Sequence, residues 1–251
     1  MVPLQKKIEY DLVPRQPYAF GLDDAFKNAR KEGVSSIIII EFGVAAGAGL
    51  YNLKFIAERL KNIYKVDYEI YGFDTGLGMP SPVDYRDHPE KYYTGDFPPG
   101  KLLEQELPEN VEIIYGEISK TLPDFKKKIS PDARIAFVSI DVDYFSSTMD
   151  CLEIFKWRDS FYLSKVSCYF DDVNNIDHNI YCGKLLAIDK FNNLNLLRKF
   201  SRFNQLRNWR IFKNALWLDQ MYYLHVFDSP LRSNTQNKKK ITKLINPYID
   251  F

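Results

Sequence analysis

The chain is poor in the residues that staple or anchor small proteins. It has three cysteines in 251 residues, Cys151, Cys168 and Cys182, an odd number with no CxxC pair. That excludes a disulfide framework, disfavours a thiolate zinc site and suits a reducing, cytoplasmic compartment. Long apolar runs are missing too. The longest, such as Ile37 to Ile40, falls far short of the ~20 residues that span a bilayer, so no membrane span is expected. The N-terminal Met-Val-Pro-Leu-Gln-Lys-Lys lacks the apolar stretch of a signal peptide. No charge of one sign prevails. Lys plus Arg number 34 against 33 Asp plus Glu, a net charge of +1, so nucleic-acid binding has no electrostatic support. What is present is ordinary for a globular protein, with 45% hydrophobic and 27% charged residues. Length and composition together predict a single domain over residues 1–228, with a basic tail over 229–251. That tail carries Arg232, Lys238, Lys239, Lys240 and Lys243 against Asp250.

Five short apolar runs punctuate the chain: SIIIIEF (36–42), YEIYGF (68–73), VEIIY (111–115), RIAFVSIDV (134–142) and KVSCYF (165–170). They are rich in Ile, Val, Phe and Tyr and do not alternate, as expected of strands buried on both faces of a parallel sheet. Helical spacing recurs between them, most plainly at Leu50, Leu53, Ile56, Ala57, Leu60 and Ile63, and less so over 148–155 and 182–191. Strands alternating with helices predict a doubly wound α/β sheet. At the end, 209–213 and 221–227 read as two strands joined too closely for a crossover helix, hence an antiparallel pair.

Every one of the five runs ends at an acid: Glu41, Asp74, Glu117, the pair Asp141 and Asp143, and the pair Asp171 and Asp172. Ligands of open α/β sheets bind outside the carboxyl ends of the strands, so these acids mark a candidate site. Glycines gather there as well, Gly43, Gly47 and Gly49 after the first run and Gly72, Gly76 and Gly78 around the second, where a backbone turns sharply or a ligand approaches it. The first loop is not a dinucleotide fingerprint, because Ala45 stands at the second glycine position and Asp74 lies beyond the usual distance of the ribose acid. Its spacing suits a nucleoside whose ribose meets Asp74 and whose charged amino-acid end lies near the loop.

The segments IEFGVAAGAGL, YGFDTGLGMP, VSIDVDYFSSTMDCLE, YFDDV and CGKLLAIDKF resemble, in this order, the macrocin O-methyltransferase-like group of class I S-adenosylmethionine-dependent, metal-dependent methyltransferases. The resemblance covers roughly residues 33–227. It implies a Rossmann-like, mostly parallel sheet of about seven strands with an antiparallel C-terminal strand. It implies S-adenosylmethionine as donor, Mg²⁺ or Mn²⁺, a hydroxyl acceptor on a sugar or nucleotide-linked sugar, and a homo-oligomer. The donor site would comprise Glu41, Gly43, Val44, Gly47, Gly49, Asp74, Thr75, Gly116, Glu117 and Asp141. By the family pattern Asp141, Asp171 and Asp172 match metal ligands, and Asp143 matches the general base.

The residues support the metal independently. Asp141 and Asp143 are two apart at a strand end and share a face, and carboxylates without His or Cys are ligands for hard cations. A metal acidifies and orients a poorly nucleophilic sugar hydroxyl, and a nearby base removes its proton. His178, six residues after Asp172, is a rival base, whereas His88 and His225 read as structural or exposed. The Pro- and Gly-rich stretch 75–101 is long enough to be a lid or acceptor wall, with Tyr85, Tyr92, Tyr93 and Phe97 to face a sugar ring and Arg86 or Lys91 to meet phosphate. Residues 15–21, within an N-terminal cover segment over 1–32, are expected over the same crevice. Two other functions remain open on sequence: a metal-dependent glycosyltransferase using the DxD at Asp141–Asp143, and a non-catalytic binding protein of the same fold.

Overall fold

A computed structural model describes residues 2–100 and 107–233. Seven strands form one sheet: β1 (Ser36–Phe42), β2 (Asp67–Asp74), β3 (Val111–Tyr115), β4 (Ala133–Ile140), β5 (Tyr162–Phe170), β6 (Arg198–Arg202) and β7 (Met221–Val226). Their order is β3-β2-β1-β4-β5-β7-β6. Neighbours among β1 to β5 are parallel, and β7 runs antiparallel between β5 and β6. The fold class is therefore the one expected, a Rossmann-like doubly wound α/β sheet with an antiparallel C-terminal pair.

Among the described residues, three helices cover each face. On one side lie α1 (Leu4–Glu9), α2 (Gln16–Glu32) and α3 (Ala48–Tyr64), on the other α4 (Ile118–Lys128), α5 (Phe145–Leu152) and α6 (Gly183–Leu194). A short α7 (Pro230–Ser233) ends the described chain. The run SIIIIEF explains the two layers. Ile37 and Ile39 enter the core under α2 and α3, while Ile38, Ile40 and Phe42 enter the core under α4 to α6. Buried on both faces, such a strand has no polar side to present.

Two expectations are corrected. Residues 209–213 are not a strand. They follow a 3-10 turn over Leu206–Trp209, with Trp209, Ile211 and Phe212 largely exposed. The partner of β7 is β6, whose sequence Arg-Lys-Phe-Ser-Arg carries the charges of an edge strand and so hides its pairing. Of the cover expected over 1–32, residues 16–32 form a core helix, while Arg15 at its head lines the crevice. Tyr18, Leu22 and Phe26 are fully buried, and α2 lies close enough to the sheet that a Cβ at Gly21 would come within 2.3 Å of the Phe137 ring. Most of the basic tail, residues 234–251, lies outside the described residues, as does Lys101 at the end of the proposed lid. No described helix is long and apolar enough to cross a membrane.

Strand order reverses between β1 and β4, and a crevice opens at that point in doubly wound sheets. Backbone hydrogen bonds carry the pairing one residue past the strands: Asp141 N–H to Phe42 at 2.9 Å, Asp171 N–H to Ile140 at 3.1 Å and Gly116 N–H to Asp74 at 2.9 Å. The acids that end the strands are thereby held along one edge.

Candidate active site

A cavity of about 640 Å³ lies at this edge, within the range of small-molecule sites. On one side it is lined by the glycine loop after β1, and on the other by the aspartates that follow β4 and β5. The seam between these walls is tight. A Cβ at Gly43 would come within 2.2 Å of the Asp141 carbonyl oxygen, and Gly43 has φ +86, a left-handed conformation that favours glycine.

Glu41 sits where the inward stripe Ile37, Ile39 would place another apolar side chain. It is 1% exposed. Its Oε1 accepts a 2.7 Å hydrogen bond from the Tyr18 hydroxyl, which also lies 2.9 Å from Ser139 Oγ. Its Oε2 has no partner and is buried. Burial pushes the carboxyl up to about 7, against the opposing effects of the Tyr18 hydrogen bond and the Arg15 charge.

Asp74 holds the loop itself. Its Oδ2 accepts the backbone N–H of Val44 and of Ala45, each at 2.9 Å, and its Oδ1 accepts that of Gly76 at 2.8 Å. Each carboxylate oxygen has two lone pairs, so one on Oδ1 remains for a ribose hydroxyl. Ala45 takes φ +44, uncommon for a residue with a Cβ, and its bond to Asp74 helps offset that conformation. Val44, Gly49, Thr75 and Glu117 also line the cavity. Gly47 and Gly116 do not. Gly47 caps α3 in a left-handed conformation, and Gly116 turns the chain after β3.

Across the seam all four aspartates line the cavity. Asp141 and Asp171 lie close enough to share a proton. Burial, and then the Asp171 charge, push the Asp141 carboxyl well above the usual range. Burial alone would raise Asp171, but the hydrogen bonds from Asp141 and Tyr169 outweigh it and hold it low. Asp172, at φ +56 in the left-handed region, is raised by burial and by the Asp171 charge.

A side chain that sequence reasoning missed answers this negative charge. Lys184 of α6 is fully buried, and its Nζ donates to Asp143 Oδ1 at 3.2 Å. The signal was present, since Lys184 shares a helical stripe with the buried Ala187, Ile188 and Phe191.

The donor set fits a hard divalent cation by its chemistry, being carboxylate oxygen throughout. The Asp141–Asp171 contact fits too, because two such carboxyls stand together only around a proton or a cation. Among the described residues no three His, Cys, Asp or Glu side chains are gathered about one point where an ion would sit.

The other candidates divide. Tyr92 lines the cavity with Tyr144, Val83 and Phe97, and the hydroxyls of Tyr92 and Tyr144 are buried without a partner. Tyr85 and Tyr93 point to solvent, 71% and 66% exposed. Arg86 is paired with Asp84 at 2.6 Å and stacked over Phe145. His178 lies outside the lining, with its Nε2 3.4 Å from Lys91 Nζ. Burial, aided by Lys184 and Lys91, pushes it down to about 4.

The 75–100 excursion is anchored. Asp87, 1% exposed, accepts the Val83 N–H at 2.8 Å, the Ser146 N–H at 2.8 Å and the Ser146 hydroxyl at 2.9 Å. It ties the loop to the first turn of α5.

Comparison with solved structures settles the architecture. CalS11, a calicheamicin methyltransferase, superposes with a TM-score of 0.56 at 19% identity, over 88% of this chain and 89% of that one. This chain has the methyltransferase fold. Two weaker likenesses are the apo form of CalS11, a TDP-rhamnose 3'-O-methyltransferase (TM-score 0.49, 17% identity, 89% of this chain and 87% of that one), and MNMC2 from Aquifex aeolicus (0.41, 16%, 82% and 57%). No family model and no curated protein matches the sequence.

Proposed function

We propose that the chain is an S-adenosylmethionine-dependent O-methyltransferase acting, with the help of Mg²⁺ or Mn²⁺, on a hydroxyl of a sugar or sugar-derived small molecule of surface-glycan or natural-product type. The observation that carries this reading is one cavity with two unlike walls, a nucleoside-type glycine loop on one side and four carboxylates on the other. The methyltransferase fold and the sequence resemblance support it. The enzyme is read as a cytoplasmic homo-oligomer.

In this reading the donor brings a methyl group made electrophilic by its sulfonium. The glycine loop, Glu41 and Asp74 hold the donor. Asp143 accepts the proton of the acceptor hydroxyl, and Lys184 fixes the direction of its carboxylate. Tyr92 and Tyr144 offer their unpaired hydroxyls to the acceptor. A divalent ion, when held by Asp141 and Asp171 with Asp172 beside them, would acidify and orient acceptor oxygens. Alignment of donor and acceptor by fixed walls contributes several kcal/mol on the scale of oriented reactions.

Calorimetry and label transfer test the reading. S-adenosylhomocysteine is expected to bind, and labelled methyl from S-adenosylmethionine to reach a sugar acceptor. EDTA should abolish turnover and Mg²⁺ or Mn²⁺ restore it. Binding of a UDP-sugar in place of S-adenosylhomocysteine would transfer the site to a glycosyltransferase. Full activity in EDTA would remove the metal from the scheme.

A further inference from the structure

The lining of the cavity is lopsided in charge. Among the described residues it includes eight carboxylates, and Arg15 is its one Lys or Arg. Such a cavity draws cations and repels anions, so a ligand that carries a carboxylate has one side chain with which to pair it.

Arg15 is placed for that. It stands at the head of α2, where its carbonyl accepts the N–H groups of Tyr18 and Ala19 and fixes the first turn. Its backbone is left-handed, φ 46 and ψ 65, a conformation that costs a residue with a Cβ of order 1 kcal/mol and recurs at ligand sites. The guanidinium carbon lies 5.2 Å from the centroid of the Tyr18 ring. No hydrogen bond or ion pair from the guanidinium to a described residue accompanies that stacking. Tyr18 thus ties two groups together. Its ring carries Arg15 and its hydroxyl holds Glu41 Oε1, leaving Glu41 Oε2 buried and unpaired in the same cavity. A Cβ at Gly49 would come within 1.9 Å of Oε1, so the start of α3 closes on Glu41 from the other side. Tyr18 on α2, Asp74 at the end of β2 and Asp141 after β4 are the other titratable groups whose hydrogen bonds or charges act on this pair.

We propose that Arg15 and Glu41 form a two-armed clamp for a free α-amino acid end, the guanidinium pairing the α-carboxylate and Oε2 accepting from the α-ammonium. The clamp rests on the S-adenosylmethionine reading and adds to it the arm that binds carboxylate. Arginine suits that arm because its planar donors match a carboxylate two by two.

The test compares two ligands that differ in this end. S-adenosylhomocysteine carries the amino acid, and 5′-methylthioadenosine lacks it. By calorimetry on the full chain, Arg15→Gln is expected to weaken S-adenosylhomocysteine roughly 10- to 100-fold, the range of a charge-assisted hydrogen bond. It should leave methylthioadenosine unchanged, which also shows the variant folded. Arg15→Lys should recover part of the loss, and Glu41→Gln should likewise weaken S-adenosylhomocysteine selectively. Equal weakening of both ligands, or no weakening of S-adenosylhomocysteine, overturns the clamp while the donor reading stands. A wild-type chain that binds neither ligand overturns both.

Discussion

At the scale of single residues the site is governed by burial of charge. Glu41 is the clearest case. Its carboxyl titrates at about 7 in the folded chain against 4.5 for a free carboxyl. A group raised in this way favours folding below its unfolded value, and that advantage is lost as pH rises through the folded one. Relative to Glu41→Gln, the wild-type chain should therefore lose about 3 kcal/mol between pH ~4.5 and ~7, by the usual conversion of a pKa shift into free energy. Thermal denaturation of both proteins across that window checks it, and parallel curves would show that Glu41 is not the group responsible. The two candidate bases separate at the same scale. Asp143 lines the cavity and is held by Lys184, while His178 lies outside it and is a weak base at about 4. Asp143→Asn should lower turnover about 10²- to 10⁴-fold, the usual worth of general-base catalysis, with donor binding retained. His178→Ala should change turnover by less than tenfold. The reverse pattern in single-turnover rates would move the base to His178. The acids were legible in the sequence because each closes an apolar run. The charges that answer them were fainter: Lys184 left only its place in a helical stripe, and Arg15 only its place in the 15–21 segment expected over the crevice.

At the scale of elements the chain shows which signals survive folding. β1, β2, β4 and β5 were readable because their apolar runs are buried on both faces, and β3, a half-buried edge strand, because its VEIIY run still interrupts the helical spacing of its neighbours. β6 was not, because Arg198, Lys199 and Arg202 mask Phe200, and the exposed apolar cluster near Trp209 offered a false partner for β7. α2 escaped notice for a similar reason. Its small residues Ala19, Gly21, Ala25 and Ala29 allow close packing on the sheet but weaken the apolar periodicity by which a helix is recognised. The 75–100 excursion was seen as a long loop beside the donor site, but the residue that holds it was not. Asp87 is one acid among several in DYRDHPE, and its three bonds to Val83 and Ser146 are set by the fold. Asp87→Ala leaves those donors without their acceptor, a loss of about 1–3 kcal/mol. Amide exchange over residues 79–97 should accelerate while that of β1 and β4 stays slow. Unchanged exchange in the loop would show that its other contacts suffice.

At the scale of the molecule, the lining of the cavity comes from two kinds of segment. One is made of strand ends and the turns fastened to them, the other largely of the excursion after β2 and the turns that begin α5. The first could be inferred from the pattern of runs and acids, because the order of a doubly wound sheet dictates where its strand ends meet. The second depends on how a long irregular segment settles, for which local sequence has no rule. Within the first, the contact of Gly43 with the Asp141 carbonyl fixes the glycine loop against the aspartates. Gly43→Ala places a methyl group where 2.2 Å is available and asks a side chain to hold φ +86. Donor affinity and turnover should fall together, while a soluble, cooperatively melting protein remains. Calorimetry with S-adenosylhomocysteine, set beside a melting curve, distinguishes this from simple unfolding, and normal donor affinity would show that the seam can yield. On the proposed function, the seam also bears on how such an enzyme diversifies. With the spacing between donor and acids locked by one backbone contact, a lineage is free to exchange its outer loops for new acceptors without recalibrating the chemistry, and a protein engineer seeking a new acceptor should leave that contact alone and graft onto the excursion.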